Sequence, residues 1–540
     1  MIQTIFYGVF SAWILYYRDK TATSNKFDWR LAGWYLKVPM IRALFERVAN
    51  PNQLGRLGLI EVLDWTADTL NRVEKDIFYE KFEESEAVLY FYEPFLEAFD
   101  KELRKELGVW YTPKEIVKYM VEKVDRILRQ ELKIKRGLAD EKVYVLDPAC
   151  GTGAYLVEVL KRIHKTLKDE GIDALSGEDL KDAAMKRIFG FEILTAPFVV
   201  SHLQLGILLQ NLGANFIQET DRVGVYLTNA LTGWEPPNEK GKQLVTFPEM
   251  QEEKNAADQV KREKPILVIL GNPPYNAFAG VSPDEEGGLI ESYKQGLREK
   301  WNIGKYNLDD LYIRFFRLAE RSIVEKSGKG IVCFISNFSF TYEPSFVVMR
   351  EHLFNSFTNI WIDSLNGDSR ETGKLTPEGQ PDPSIFSTKY NKEGIRKGTA
   401  ISILVKKESK SKTAKVYSRE FWGKEKKIEL LNSISINNYD KINPTFKNRY
   451  ILRNINVSNE YYTWPSIIDL SNNDAYPAFM ESRQCAIIDI EYDKLKEKME
   501  IYFDGSISWK TLKNLYPELT KDFAGYNANK TREKLLKEEV

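Results

Sequence analysis

Residues 143–163 read VYVLDPACGTGAYLVEVLKRI, and how this stretch folds decides how the chain folds. A short apolar run ends at Asp147. After it, apolar residues recur at three- and four-residue spacing, and between the two patterns Gly151 and Gly153 flank Thr152. The spacing predicts a strand, a tight turn and a helix, the first half of a βαβ unit. Glycines let the backbone turn sharply, admit a ligand close to the main chain and aim amide groups at it. A dinucleotide fingerprint would carry a third glycine three residues after the second. Leu156 stands there instead, which disfavours a pyrophosphate.

Working outward, the same alternation continues. IFGFEI, VYLTNAL, ILVILG and GIVCFIS are apolar runs separated by helical stretches, which predicts an α/β fold with a mostly parallel sheet. NIWIDSL and TAISILVKK follow without a convincing helix between them, so an antiparallel pair is expected at the sheet edge. The connection between them, 366–398, is rich in Gly, Pro and charge, and loops of such length are usually functional or disordered. Upstream, residues 1–105 read as helical throughout, as in LIEVLDWTADTLNRVEKDIF and EAVLYFYEPFLEAFDKELRKEL. At YTPKE, Thr112 is expected as an N-cap, Pro113 as the opening residue and Glu115 as the capping partner of a helix. Downstream, the lysine-rich KKESKSKTAK reads as a linker into a polar, aromatic region. The expected organisation is therefore a helical spacer over 1–105, an α/β domain over 106–410 and a separate region over 411–540.

Bulk properties narrow the function classes. The chain has 540 residues, 43% hydrophobic and 13% aromatic, ample for buried cores and unlike a disordered chain. Its net charge of −1 offers no global attraction for nucleic acid, so any such contact must be local. Three cysteines (Cys150, Cys333, Cys485) and three histidines (His164, His202, His352) are scattered, which gives no metal site by spacing and fits a reducing cytoplasm. Cys150, in the glycine turn with no histidine beside it, reads as packing rather than as a nucleophile. TIFYGVFSAWILYY falls short of the roughly 20 apolar residues that span a bilayer, so a buried helix and no membrane contact are expected.

Two strand ends carry the chemistry. Glu192 closes IFGFE, placed to accept hydrogen bonds from both hydroxyls of a ribose. Taken alone, a G-x-G is only a turn. The ordered set Asp147, Gly151, Gly153 and Glu192 describes a nucleoside site without phosphates but with an acid for an ammonium group, which suits S-adenosylmethionine. The second strand end is LVILGNPPYN, 267–276, where two prolines stop the sheet. Read alone, Asn272 caps and Pro273 and Pro274 merely terminate. Beside a cofactor loop they gain a use. The exocyclic nitrogen of adenine is conjugated into its ring and is a poor nucleophile. Asn272 Oδ1 and the Pro273 carbonyl can accept its two hydrogens, Pro274 stiffens the turn, and Tyr275 can stack on the base. The base must leave the duplex to reach them.

These motifs resemble those of the N6-adenine DNA methyltransferases. VLDPACGTGAYL and GNPPYN are similar to their cofactor and catalytic motifs, and GVWYTPKEIVKYMV to the motif that precedes the cofactor loop in the gamma class. The resemblance implies a Rossmann-like, S-adenosylmethionine-dependent methyltransferase sheet. It implies a cofactor site of Tyr111, Thr112, Pro113, Asp147, Ala149, Gly151, Gly153, Glu192, Ile193, Asn229 and Asn272. LDDLYIRFFRLAER, GIVCFISNFSF and SIFSTKYNKEGIRKGTAISILVKK are similar to segments that line the target base, which adds Asp310, Tyr312, Asn337 and Phe386 to Tyr275. Asn229 departs from the acid that many relatives place near the cofactor adenine. FYEPFLEAFDKELRKELGVWYTP resembles the lead-in of large single-chain restriction–modification and phage-defence enzymes. That implies double-stranded DNA as partner, restriction or defence-system subunits as further partners, and 411–540 as the beginning of a target-recognition region. Neither a Walker A sequence nor a nuclease constellation is found. The alternatives are a cofactor-loaded recognition subunit active only with partners, an N4-cytosine enzyme, and RNA or protein-glutamine methyltransferases that share N-P-P-Y.

Overall fold

The structure is a computed structural model that describes residues 2–18, 26–74, 77–78, 111–171, 176–214, 216, 221–235, 247–275, 288–388, 391–408, 413–455, 457–465, 467–470, 486–523 and 526–537. Among them one sheet organises the chain. Its strands are β1 (Tyr144–Asp147), β2 (Ile188–Glu192), β3 (Gly224–Leu227), β4 (Ile266–Gly271), β5 (Gly330–Asn337), β6 (Asn359–Asn366), β7 (Thr399–Lys406), β8 (Lys415–Glu420) and β9 (Asp440–Ile442). Their order is β3-β2-β1-β4-β5-β7-β6-β8-β9. From β3 to β5 every pairing is parallel, and β7 inserts antiparallel between β5 and β6.

Both faces of this sheet are covered, which is why its strands read as apolar runs without alternation. Side chains still alternate between two cores. Val145, Val268, Leu270, Ile331 and Cys333 enter one; Leu146, Ile269, Val332 and Phe334 enter the other. Helices Lys114–Gln130, Ala154–Asp169 and Thr195–Asn211 line the first, and Pro248–Glu263, Leu311–Glu320 and Val347–Ser356 the second. Thr195–Asn211 is apolar nearly all round because it is caught between the sheet and the helix Ile2–Arg18. Thr4 and Thr195 meet through their hydroxyls at 3.3 Å. The N-terminal helices thus share a core with the α/β fold rather than standing apart as a spacer. TIFYGVFSAWILYY is buried as expected, and no helix among the described residues is long and apolar enough to cross a membrane. The stretch EAVLYFYEPFLEAFDKELRKEL and Gly108–Trp110 lie outside the described residues.

Three expectations change. The antiparallel pair forms, but β8 and β9 continue the sheet beyond it, so it is not the edge. KKESKSKTAK, of which 409–412 lie outside the described residues, leads into β8 rather than into a new region. The first compact unit accordingly runs to Asn456, well past 410. Thr112 does not cap. The helix starts at Lys114 with Pro113 at its N-cap, and the Thr112 hydroxyl has another partner, described below.

The second unit, Val457–Val540, has a small core of Ala486, Tyr502, Leu512 and Leu519. Buried Arg532 of helix Ala528–Leu535 holds it by donating to the carbonyls of Tyr502, Asp504 and Ile507 at 2.7, 2.8 and 3.0 Å. Satisfying three carbonyls with one guanidinium spares three buried acceptors the cost of going unpaired.

Candidate active site

The chain leaves β1 for β2 and β3 on one side, then returns to β4 on the other. This puts a topological switch point at the carboxyl ends of β1 and β4, where open α/β sheets bind ligands. Asp147 ends β1 and Gly271 ends β4. They are so close that a Cβ on Gly271 would lie 2.5 Å from Asp147 Oδ1. Glycine at 271 is therefore what lets the buried carboxylate and the N-P-P-Y turn share one spot. Asp147 is fully buried; Oδ1 accepts from the Ala149 amide at 3.1 Å, and Oδ2 has no hydrogen-bond partner among the described residues. Burial, with Glu192 nearby, pushes this carboxyl up to about 8.

Gly151 and Gly153 both adopt left-handed conformations, with φ of 54° and 91°. Nothing lies within 4 Å of the place a Gly151 side chain would take, so the loop leaves open space over its main chain. Gly153 is the N-cap of the helix Ala154–Asp169, with no side chain capping its first amides. Glu192 fastens the loop from the end of β2: Oε2 accepts from the Gly151 amide at 2.9 Å, and Oε1 accepts from Ile193 and Leu194 at 2.9 and 2.7 Å. These amides use three of roughly four acceptor positions on the carboxylate. Burial raises it to about 7. Ile193, the next residue, is 64% exposed, an apolar side chain left without cover beside the loop. Cys150 is buried against Gly190, and burial raises its thiol well above the usual range, as packing requires.

At the end of β4, Asn272 is gripped on both sides. Its Nδ2 donates to Thr112 Oγ1 at 2.9 Å, and its Oδ1 accepts from the Tyr275 hydroxyl at 2.6 Å. Thr112 is buried, and Tyr111 packs beside it against the first core. The Tyr275 hydroxyl also lies 3.1 Å from the Ile335 carbonyl of β5. Its ring meets Tyr312 and Phe386 edge-on, with centroids 6.4 and 6.5 Å away. Burial and the Asp310 charge raise the Tyr275 phenol well above its ordinary value. Tyr312 is buried with its hydroxyl unpartnered among the described residues. Asn276 lies outside the described residues.

The expected residues thus fall into two linked groups at the same strand ends, one around the glycine loop and one around Tyr275. Three depart from expectation: Glu192, with three amides on its carboxylate, keeps about one acceptor position rather than room for both ribose hydroxyls, and the others are Asn337 and Asn229. Asn337 turns back to cap its own 3-10 turn, accepting from the Ser339 amide at 2.9 Å. Asn229 accepts from the Leu231 amide at 2.9 Å, which leaves its NH2 as the group it can offer. Beneath it lies Lys261, buried and unforeseen, donating to Thr228 Oγ1 at 2.8 Å and to the Asn229 carbonyl at 2.9 Å. Burial lowers this ammonium to about 8. Only its place in an otherwise soluble-looking helix, followed by apolar β4, hinted at it.

The donor set fits S-adenosylmethionine: a buried carboxylate with one oxygen unpartnered among the described residues for an ammonium, a glycine loop, and an exposed isoleucine for a flat ring. Residues 84–284 match the model of the family described as N-6 DNA Methylase. No curated protein sequence matches. Among solved structures, the ATP-dependent Type ISP restriction–modification enzyme LlaBIII bound to DNA is 19% identical, with a TM-score of 0.64 over 97% of this chain and 34% of that one. A nuclease-deletion mutant of the Type ISP enzyme LlaGI with a DNA substrate mimic is also 19% identical, TM-score 0.63, over 93% and 38%. The DrdV–DNA complex is 19% identical, TM-score 0.59, over 93% and 46%. The likeness is one of fold, and the chain spans between a third and a half of each relative.

Proposed function

We propose that this chain is a DNA methyltransferase that moves a methyl group from S-adenosylmethionine to N6 of an adenine flipped out of double-stranded DNA, within a restriction–modification or phage-defence system. The observation that carries this reading is the double grip on Asn272. Thr112 takes the NH2 end, and the carbonyl end, accepting from Tyr275, is the acceptor that this reading offers to an amine together with the carbonyl of Pro273. An amine donating to both carbonyls is drawn toward tetrahedral geometry, and its lone pair is freed from the ring. Amide oxygens have two acceptor positions, so Oδ1 can take the amine while Tyr275 keeps its bond or swings out to stack. Tyr312, Phe386 and Tyr275 form the walls that accept a planar base. When bound, S-adenosylmethionine supplies an electrophilic methyl group. Asp147 and the amides near Gly151 would hold its polar end, and Ile193 would cover its adenine, with Asn229 offering a donor to a ring nitrogen. Rate comes from orientation and fixed dipoles rather than from a covalent enzyme intermediate.

The test is to incubate the chain with S-adenosylmethionine and unmethylated bacterial DNA, then quantify nucleosides by mass spectrometry. N6-methyladenine that vanishes in Asn272→Ala, with cofactor binding kept, is the expected result. N4-methylcytosine, or methylated RNA or protein instead, would sink the reading. A second reading is favoured by one observation, that the chain spans only 34% to 46% of its structural relatives. It would then bind cofactor but stay silent until a recognition region or partner subunits complete it, with 457–540 as the start of that region. Restored methylation on adding such a part separates the two.

A further inference from the structure

At the far end of the sheet from the catalytic loop, helix Lys114–Gln130 and the starts of β6 and β8 enclose a cavity of about 450 Å³. Its lining is mostly polar and its charge is one-sided: Lys123, Arg126, Lys407 and Lys415 against a single carboxylate, Glu131. That carboxylate is already used, pairing with Lys407 at 2.5 Å and accepting from Asn359 at 3.0 Å. Lys123 is 6% exposed and has no hydrogen-bond acceptor among the described residues; its ammonium sits 5.2 Å from the Tyr439 ring. The buried acid Asp363 attracts its charge from a distance, but the direct partners of that carboxylate are other groups. Arg419 binds one oxygen of Asp363 at 2.5 Å and the Tyr119 hydroxyl binds the other at 2.6 Å. A buried cation without a directly paired acid is costly, and burial lowers this ammonium to about 8, with the Asp363 charge offsetting part of the effect. Trp361 and Tyr417, neighbours across β6 and β8, stack at 5.8 Å into a flat wall of the same cavity.

We propose that this cavity binds a small polyphosphate-bearing ligand, with Lys123 at its floor and Arg126 and Lys415 at its mouth. Duplex DNA is a stiff rod whose phosphates can touch the mouth but not a lysine set this deep, so a small molecule fits better than a nucleic-acid backbone. The volume falls in the range of small-ligand pockets. The proposal stands apart from the methyltransferase reading, because no residue of it touches the strand ends where that site lies.

The experiment is isothermal titration of the full chain, saturated with S-adenosylhomocysteine to block the cofactor site, with inorganic tripolyphosphate and with GTP. Binding of either, weakened at least tenfold in Arg126→Gln/Lys415→Gln, is expected. These two side chains are partly or fully exposed, so the variant should fold, and Lys123→Met adds the floor if it folds as well. GTP binding tighter than tripolyphosphate would identify the aromatic wall as a base platform; equal binding would identify the polyphosphate alone as the ligand. No binding of either, or binding unchanged in the variants, overturns the proposal.

Discussion

Thr112 shows how a single atom can set a catalytic group. An asparagine amide has nearly the same shape either way round; here the Thr112 hydroxyl, which can donate as well as accept, accepts from the nitrogen end while the Tyr275 hydroxyl donates to the oxygen end. Thr112→Val keeps the shape and removes the acceptor. Methylation should fall about 10- to 100-fold, in line with roughly 1–3 kcal/mol for an orphaned buried polar group. Cofactor affinity should stay within a few-fold, and Thr112→Ser should restore most of the rate. Equal loss of cofactor affinity would show that Thr112 serves the cofactor rather than Asn272. Asp147 makes a pH prediction. Its folded value near 8 lies above the roughly 3.9 of an unfolded aspartate, so the ligand-free native state binds the extra proton between those values. Asp147's own contribution to the stability of the free protein is therefore fully present below about 4 and is lost as pH rises toward 8. A bound ammonium favours the ionised form, so binding should expel a proton. Cofactor affinity should rise with pH from 6 toward 8, and the ratio to Asp147→Asn isolates this from titration of the ligand's own amine. A ratio that does not change with pH would place the ammonium elsewhere. Asp147, Gly151, Glu192 and Asn272 were legible in the sequence because each sits within a few residues of a strand end. The role of Thr112 was not, because its partner lies 160 positions away.

At the scale of elements, the 366–398 connection is the clearest case of order that local sequence conceals. Two buried aspartates fold it. Asp368 accepts from the amides of Arg370, Glu371 and Gly398, and Asp382 accepts from Gly367, Gly423 and the ammonium of Lys426. Every one of these bonds except those to Arg370 and Glu371 spans 15 residues or more, so composition alone suggested only a long polar loop. The result is that Phe386 is held against Tyr275. Asp382→Ala leaves Lys426 buried without its partner, and such a break costs about 3–5 kcal/mol. The melting temperature should drop and methylation with it. Asp382→Asn with Lys426→Met should recover much of the stability, since the lone charge is gone. A single variant as stable as the parent would mean that the pair does not anchor the loop. The sheet edge was misplaced for a related reason: the lysines before β8 resemble a linker, while β8 itself, KVYSRE, is short and polar at both ends.

For the molecule as a whole, the charge balance and the size of the chain bear on DNA together. A net charge of −1 gives no long-range attraction, so affinity must come from local cations. The loop that carries Phe386 also exposes Arg370 and Lys392, two side chains for which the phosphates of a strand feeding its base into the pocket would be natural partners. Each phosphate contact contributes about one to the slope of log affinity against log salt. Binding of unmethylated duplex should therefore weaken steeply as salt rises, and Arg370→Ala/Lys392→Ala should flatten the slope by about two while leaving S-adenosylmethionine binding alone. Because the chain spans less than half of each of the three structural relatives named above, the same titration on duplexes of different sequence carries a second reading. Affinities that are steep in salt but alike for every sequence would mean that the phosphate contacts are present and base recognition depends on parts outside this chain. A preferred sequence with the same slope would place recognition within it. A slope near zero in both variant and parent would remove the loop from the DNA contact altogether.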